Sequence, residues 1–142
     1  LIGSVCDALA PLADDLDVEI KLHLPDHPVT VTGDRDELTQ VFENLIENAC
    51  KYGQDGKTVD VMLIDKPNQP VEVSVVDHGP GIPEEQVPRL TERFYRVSVE
   101  SSRSKKGTGL GLAIVKHILT RHRARLLIRS EIGRGSTFTV RF

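Results

Sequence analysis

The feature that most limits how this chain can fold is one apolar stripe between residues 38 and 50. Its members recur at spacings of three and four residues, which is the pattern of a single face of an α-helix. They are Leu38, Val41, Phe42, Leu45, Ile46, Ala49 and Cys50. Gly33-Asp34 precedes the stripe and supplies an N-cap candidate, and Gly53 and Gly56 end it. A helix with one such face has to bury it against another layer of the fold.

Alternating apolar and polar residues on both sides of this helix predict a sheet for it to pack against. The predicted strands are Val18–Leu24, Val29–Thr32, Thr58–Asp65, Val71–Asp77, Arg125–Glu131 and Ser136–Phe142, and further helices are predicted at Leu1–Asp15 and Gly109–His122. The 142 residues, 39% of them hydrophobic, match one globular domain spanning 1–142. The element order predicts an α+β fold, a two-layer α/β sandwich whose mixed, mostly antiparallel sheet carries its helices on one face. The abrupt, mid-helix start leads us to expect that the chain is part of a longer protein.

Composition narrows the functional classes. Cys6 and Cys50 are too few for a disulfide scaffold and lack metal-site spacing. No apolar run reaches the ~18 residues of a membrane span. The net charge of -3 hides a polarity, because residues 1–50 carry -9 and residues 101–142 carry +9. This asymmetry predicts that the last third binds an anion, whether nucleic acid, a membrane or a small phosphate.

The central helix carries polar residues beside its apolar stripe. At 100° per residue, Asn44, Asn48 and Lys51 share a narrow strip at the rim of the core, and Tyr52 borders both faces. An Asn carbonyl oxygen is a suitable Mg²⁺ ligand, Lys51 can place a charge on a terminal phosphate, and Tyr52 can cover a planar base. The same residues are equally compatible with a solvated helix edge.

Two nearby carboxylates are poor candidates for activating water. Glu43 projects about 100° around the helix from Asn44, away from the polar strip. Glu37 lies on the strip but about 10 Å along the axis from Asn44, at 1.5 Å per residue. We therefore predict no general base in this part of the chain.

A carboxylate and several glycines follow the Val-rich strand directly, in the run Asp77-His78-Gly79-Pro80-Gly81-Ile82. A carboxylate at the end of a buried strand can accept a hydrogen bond from an adenine amino group, and the glycines let the backbone turn clear of the ligand. The alternative is a simple turn. His78 is interpreted as a loop residue, since no second His or Cys lies at metal-site spacing.

A second glycine run, Gly107-Thr108-Gly109-Leu110-Gly111-Leu112, leads straight into a helix. It is not a Walker A loop, but its free backbone N–H groups at a helix N-terminus favour an anion in the same way. The preceding stretch from Gly79 to Lys106 has little periodicity, as in functional lids or disordered loops. Residues 89–106 carry +4, and the pair Phe94-Tyr95 lies among them. A flexible cationic loop is the alternative.

The order and spacing of these segments resemble the catalytic and ATP-binding domain of bacterial sensor histidine kinases, within the GHKL (gyrase, Hsp90, histidine kinase, MutL) superfamily. The run Asn44–Tyr52 is similar to its N box, Asp77–Gly81 to its G1 box, Arg93–Arg96 to its F box, Gly107–Leu112 to its G2 box, and Gly135–Phe138 to its closing strand. The runs Leu119–Arg123 and Phe94–Val97 look most like phosphate-regulon sensor kinases. The resemblance covers nearly the whole chain and implies the Bergerat fold with an ATP lid.

The resemblance implies a role for each matching residue. Asp77 would bind the adenine amino group, Asn48 would hold Mg²⁺ beside Asn44, Lys51 would reach the phosphates, and Arg96 would reach the γ-phosphate as the lid closes. The other implied ATP-binding residues are Tyr52, Gly79, Gly81, Ile82, Tyr95, Gly107, Thr108, Gly109, Leu110, Gly111, Leu112 and, through water, Thr137. Arg123-Ala124 stands where the family often has Gly-Gly, which leaves the form of that turn open.

The implied function is a protein histidine kinase that uses ATP and Mg²⁺. ATP hydrolases of the superfamily carry a Glu one turn before the metal-binding Asn, and here that position is Asn44. None of the five histidines has the sequence context of a phosphoacceptor, so the acceptor is expected on a separate helical hairpin of a homodimeric sensor that passes phosphate to a response regulator. The implied location is cytoplasmic, in an inner-membrane sensor, without direct contact of this part with membrane or nucleic acid. The alternatives are a serine-kinase anti-sigma factor of the same fold and a nucleotide-binding pseudokinase.

Overall fold

The computed structural model describes residues 1–92 and 111–142, except for the side chain of Gln54. The helices are α1 (Ile2–Asp15), α2 (Arg35–Tyr52) and α3 (Gly111–Arg121), and short 3₁₀ turns lie at Gln54–Gly56 and Glu84–Arg89. The strands are β1 (Glu19–His23), β2 (Thr58–Ile64), β3 (Glu72–Asp77), β4 (Arg125–Glu131) and β5 (Gly135–Arg141). Within these two ranges, none of the helices has both the length and the apolar content to cross a bilayer.

The described strands form one sheet in the order β1-β2-β3-β5-β4. β1 runs parallel to β2, and the β2–β3, β3–β5 and β4–β5 pairs are antiparallel. The predicted mixed, mostly antiparallel sheet with helices against it is therefore confirmed. β3 lies in the middle, so the loop that follows it leaves the sheet beside the first residues of β2 and β5.

The apolar stripe of α2 forms the centre of the core, as its periodicity predicts. All seven of its residues are buried, and they pack with the inward-facing side chains of the sheet: Val59, Val61, Val73, Val75, Phe138 and Val140. Asp34 caps this helix, because its side chain accepts a hydrogen bond from the Glu37 N–H at 2.9 Å. The core thus fixes α2, and with it the polar strip, against the sheet.

The predicted strand at Val29–Thr32 is wrong. The segment is irregular, although Val31 packs against the core. Its end is tied to the helix layer, since the Asp34 N–H donates to His122 Nε2 at 3.0 Å. Alternation marked Val31 correctly as facing the core, but the segment is held by His122, directly after α3, and pairs with none of the described strands.

The helices α1 and α3 end in turns of the same type, and in both turns the residue with positive φ is not a glycine. After α3, Arg123 has φ +57°, the Ala124 N–H donates to the Leu119 carbonyl, and the Arg123 N–H donates to the Thr120 carbonyl. This pair of hydrogen bonds is the Schellman motif, whose left-handed residue is usually glycine. Asp17 takes the equivalent position after α1, with φ +56°.

Replacing Arg123 by glycine is expected to stabilise the fold. An L-residue in the left-handed region is strained, so Arg123→Gly should raise the free energy of unfolding by about 1 kcal/mol. Thermal unfolding followed by circular dichroism measures the change, with a rise of a few degrees expected. Arg123→Ala keeps the strain and is the control. A midpoint for Arg123→Gly at or below that of Arg123→Ala would contradict this interpretation.

Candidate functional site

Asp77 is the buried carboxylate of the site. It ends β3, with Val59 of β2 and Ser136 of β5 directly opposite it, and it is 6% exposed. Its Oδ1 accepts a hydrogen bond from the Gly79 N–H at 3.0 Å, and the Ser136 backbone N–H also donates to the carboxylate. Burial raises the pKa of Asp77 above its ordinary value, although both hydrogen bonds and the nearby His78 oppose this rise. The site therefore holds a carboxylate that lacks full compensation for its lost hydration.

Two glycines bring the end of α2 onto this carboxylate. A Cβ at Gly53 would overlap the Asp77 side chain, so only glycine allows this contact. A Cβ at Gly79 would come within 2.7 Å of the Tyr52 carbonyl oxygen and 2.8 Å of Gly53 Cα. The predicted N box and G1 box are thus in direct contact.

The polar strip of α2 is half-buried along this edge. The Asn44 Nδ2 atom is buried and has no hydrogen-bond partner within the described ranges. A Cβ at Gly111 would lie 3.9 Å from Asn44 Cγ, so α3 begins beside this amide. Buried amide nitrogens are rarely left unpaired, so this atom is positioned to donate to a group that lies beyond the described residues.

Lys51 and Tyr52 lie between Asn48 and the Asp77 contact. The Lys51 Nζ atom pairs with Glu47 Oε1 at 3.0 Å, and the two side chains are 24% and 39% exposed. A partly exposed pair of this kind contributes at most about 1 kcal/mol, so it is easily exchanged for another anion. Asn48 and Tyr52 are half-buried.

The loop after Asp77 crosses the β4–β5 turn. Gly81 has φ +81°, and a Cβ on it would overlap the Glu131 carbonyl oxygen. The Gly133 N–H donates to the Pro80 carbonyl at 2.8 Å, and the Ile82 N–H donates to Ser130 Oγ at 2.7 Å. The hairpin therefore holds Gly81 and Ile82 in place beside the carboxylate.

The His78 ring forms its hydrogen bond with β2 and not with Asp77. Its Nε2 atom lies 3.0 Å from Asp60 Oδ2, while His23 Nε2 lies 2.9 Å from Asp60 Oδ1. These hydrogen bonds lower the pKa of Asp60. His78 is thus held by a carboxylate of β2.

The prediction that Thr137 reaches this pocket is wrong. Directly opposed residues of antiparallel strands share a face, and Asp77 is opposed by Ser136. Thr137 is opposed by Val76, so its side chain lies on the other face of the sheet. Ser136 is 5% exposed and was missed, although strict alternation from the core residues Phe138 and Val140 would have identified it.

The predictions for Arg96, Tyr95, Gly107, Thr108, Gly109 and Leu110 lie outside the described residues. Of the predicted G2 box, Gly111 and Leu112 begin α3, and Leu112 packs against the core. Gly111 lies beside the N box, because a Cβ on it would be 3.9 Å from Asn44 Cγ. The lid and its arginines stay predictions.

The positive charge of residues 101–142 extends well beyond the cationic loop that precedes α3. Six of the ten Lys and Arg residues in this stretch lie at or after the last residue of α3: Arg121, Arg123, Arg125, Arg129, Arg134 and Arg141. Arg121 pairs with Glu37 at 2.8 Å, and Arg141 pairs with Glu72 at 2.8 Å. Part of the polarity therefore balances acidic side chains within the fold.

Comparison with known proteins agrees with this geometry. Residues 33–142 match the family described as histidine kinase-, DNA gyrase B-, and HSP90-like ATPase. The chain is 48% identical over 114 residues to the phosphate regulon sensor protein PhoR of Pseudomonas aeruginosa, covering 80% of this chain and 26% of that protein. It is 39% identical over 123 residues to the sensor histidine kinase WalK of Bacillus subtilis, covering 86% of this chain and 20% of that protein.

Solved structures show the same likeness. Full-length ShkA in complex with AMPPNP superposes with a TM-score of 0.84 at 27% identity, over 99% of this chain and 28% of that one. The mycobacterial sensor histidine kinase MprB superposes with a TM-score of 0.83 at 28% identity, over 99% of this chain and 90% of that one. The resemblance to sensor histidine kinases is confirmed, and a phosphate-regulon sensor is among the relatives. The chain spans about a quarter of the length of the curated relatives it matches.

Proposed function

Because this chain belongs to the family of histidine kinase-, DNA gyrase B- and HSP90-like ATPases, we propose that it binds Mg-ATP and donates the γ-phosphate to a histidine of its full-length sensor kinase. The observation that carries this proposal is the buried Asp77 carboxylate, held against the end of α2 by two glycines. A buried carboxylate beside a glycine-lined gap fits the amino group of adenine.

The remaining residues fit the rest of the nucleotide. Gly79, Gly81 and Ile82 shape the base pocket and Tyr52 lines it. The Asn44 Nδ2 atom, which has no partner in the described part of the chain, supports a nearby acceptor such as a phosphate oxygen. Lys51 exchanges Glu47 for a phosphate. Asn48 would supply the protein oxygen for Mg²⁺, which when bound neutralises phosphate charge.

Other parts of the site belong to the proposal through the family resemblance alone. We assign phosphate contacts to the backbone amides of Gly107–Leu112 and to Arg96, and a base or ribose contact to Tyr95. In whole-protein terms, the partners are a phosphoacceptor hairpin in a homodimeric sensor and a response regulator receiver domain. The domain would work on the cytoplasmic side of the membrane.

Transfer is favoured over hydrolysis because none of the carboxylates in residues 1–92 and 111–142 is positioned to activate water. Asn44 occupies the position one turn before Asn48, and an amide cannot accept a proton from water at neutral pH. Glu37 is paired with Arg121 at 2.8 Å. The chain's contribution is to bind and orient the triphosphate, so the bound γ-phosphate is retained for an incoming imidazole.

Phosphorylation of a separately supplied acceptor hairpin tests this proposal. The chain is mixed with Mg-ATP labelled at the γ-phosphate and with the acceptor-His hairpin of its own sensor kinase. We expect label on the hairpin that is lost in acid and retained in base, and none with Asp77→Asn. Asp15→Asn, an exposed carboxylate at the end of α1, is the matched control. Acid-stable label would instead indicate a serine kinase, and absence of both binding and transfer would indicate a pseudokinase.

Binding of the base is expected to weaken in acid. The pKa of Asp77 is raised by burial, so this carboxylate gains its proton at a higher pH than an exposed aspartate. Because the pKa of Asp77 is raised in the fold, ionisation of this carboxyl opposes folding and its protonation stabilises the folded chain. Protonation also removes an acceptor for the adenine amino group, so it should weaken binding. Adenosine affinity, followed by NMR shifts to avoid phosphate titration, should fall through that pKa. Affinity that stays constant down to the ordinary aspartate pKa would contradict the assignment.

A further inference from the structure

Ser130 of β4 lies at the centre of a hydroxyl network next to Asp77. Its side chain faces that of Ser136 across the β4–β5 pair, with the two Oγ atoms 2.7 Å apart. The same Ser130 Oγ accepts the Ile82 N–H at 2.7 Å and lies 3.1 Å from the Gly135 carbonyl oxygen. Ser130 thereby joins the loop after β3, the start of β5 and the residue opposite Asp77.

Only one assignment of protons satisfies all three contacts. A serine hydroxyl has one proton and two lone pairs. The Gly135 carbonyl can only accept, so it takes the Ser130 proton, and one Ser130 lone pair receives the Ile82 N–H. Ser136 must then donate its own proton to Ser130. The Ser136 oxygen is left with lone pairs alone, beside a carboxylate that also only accepts.

We propose that Ser130 is a positioning residue that fixes Ser136 as a hydrogen-bond acceptor. This edge of the pocket then selects a purine with an amino group over a purine with a carbonyl at the same position. Adenine presents a donor there, and guanine presents an acceptor. Two fixed acceptors repel the guanine oxygen, whereas a rotating Ser136 hydroxyl could donate to it. This inference rests on the proposed nucleotide site and adds to it the basis of base selection.

The ratio of ATP to GTP affinity separates this role from a merely structural one. Calorimetric titrations with Mg-ATP and Mg-GTP are made on the wild-type chain, Ser130→Ala and the conservative Ser130→Thr. Ser130→Ala frees the Ser136 hydroxyl proton to donate to guanine. The ratio of ATP affinity to GTP affinity should therefore fall by about fivefold to tenfold, which corresponds to one hydrogen bond. Ser130→Thr keeps the hydroxyl and should retain the wild-type ratio.

A double-mutant comparison makes the test specific. If Ser130 acts through Ser136, Ser130→Ala should leave the ratio unchanged in a Ser136→Ala background. Equal weakening of both nucleotides by Ser130→Ala would overturn the inference, as would a change of ratio that persists without the Ser136 hydroxyl. A wild-type chain that binds neither nucleotide overturns the proposed function itself, and this inference with it.

Discussion

Asp77→Asn should lower the affinity for Mg-ATP by about 100-fold or more while leaving the fold intact. The change removes the charge that would accept the adenine amino group and can turn a donor toward it, a mismatch of roughly 3 kcal/mol in a buried site. Folding is spared because the amide has the same shape and does not need full hydration, unlike the carboxylate, which is 6% exposed. Calorimetric titration measures the affinity, and circular dichroism measures the fold.

Asp15→Asn provides the matched comparison, because it changes the same functional group at an exposed position of α1. It should bind Mg-ATP like the wild-type chain. Wild-type affinity in Asp77→Asn would remove the carboxylate from the site and would count heavily against the site assignment as a whole.

Gly135→Ala should destabilise the fold by about 3 kcal/mol or more, through strain and overlap together. Gly135 has φ +116°, where a side chain is rarely tolerated, and a Cβ there would overlap the Asp77 carbonyl oxygen. The overlap falls where β5 meets the end of β3, so the backbone that carries Asp77 would have to move. Urea unfolding measures the loss, and Mg-ATP binding by the folded fraction should weaken too.

Gly133→Ala in the same turn separates strain from overlap. Gly133 has φ +85°, but a Cβ there would have no described atom within 4 Å. The free energy of unfolding of Gly133→Ala should fall by only about 1 kcal/mol, the usual penalty for Ala at positive φ. Similar losses for the two variants would show that close packing between Gly135 and Asp77 has no part in stability.

Much of the fold is predictable because its elements follow strong periodicities. The stripe from Leu38 to Cys50 predicted the face that α2 buries, and alternation predicted β2, β3, β4 and β5 to within about two residues. Val29–Thr32 shows the limit of this reasoning. Its alternation reflects packing of Val31 against the core, and no local pattern reveals that a long-range bond from Asp34 to His122 ties its end to α3.

The site was predictable in residue type but less so in orientation. Asp77 and the α2 strip follow from sequence, yet their proximity depends on Gly53, whose missing Cβ allows the contact. The resemblance indicated Thr137, whereas the strand register places Ser136 opposite Asp77 and on the same face of the sheet. The role of Ser130 could not be predicted, because it depends on three partners from separate segments.

Direct titration of the chain with Mg-ATP tests the central claim most simply. We expect saturable binding with one nucleotide per chain and an affinity in the micromolar range, together with a rise in the thermal unfolding midpoint as nucleotide concentration increases. Competition by Mg-ADP and loss of the heat in Asp77→Asn would locate that binding at the end of β3. A folded wild-type chain that gives neither heat nor a thermal shift with any adenine nucleotide would contradict the account.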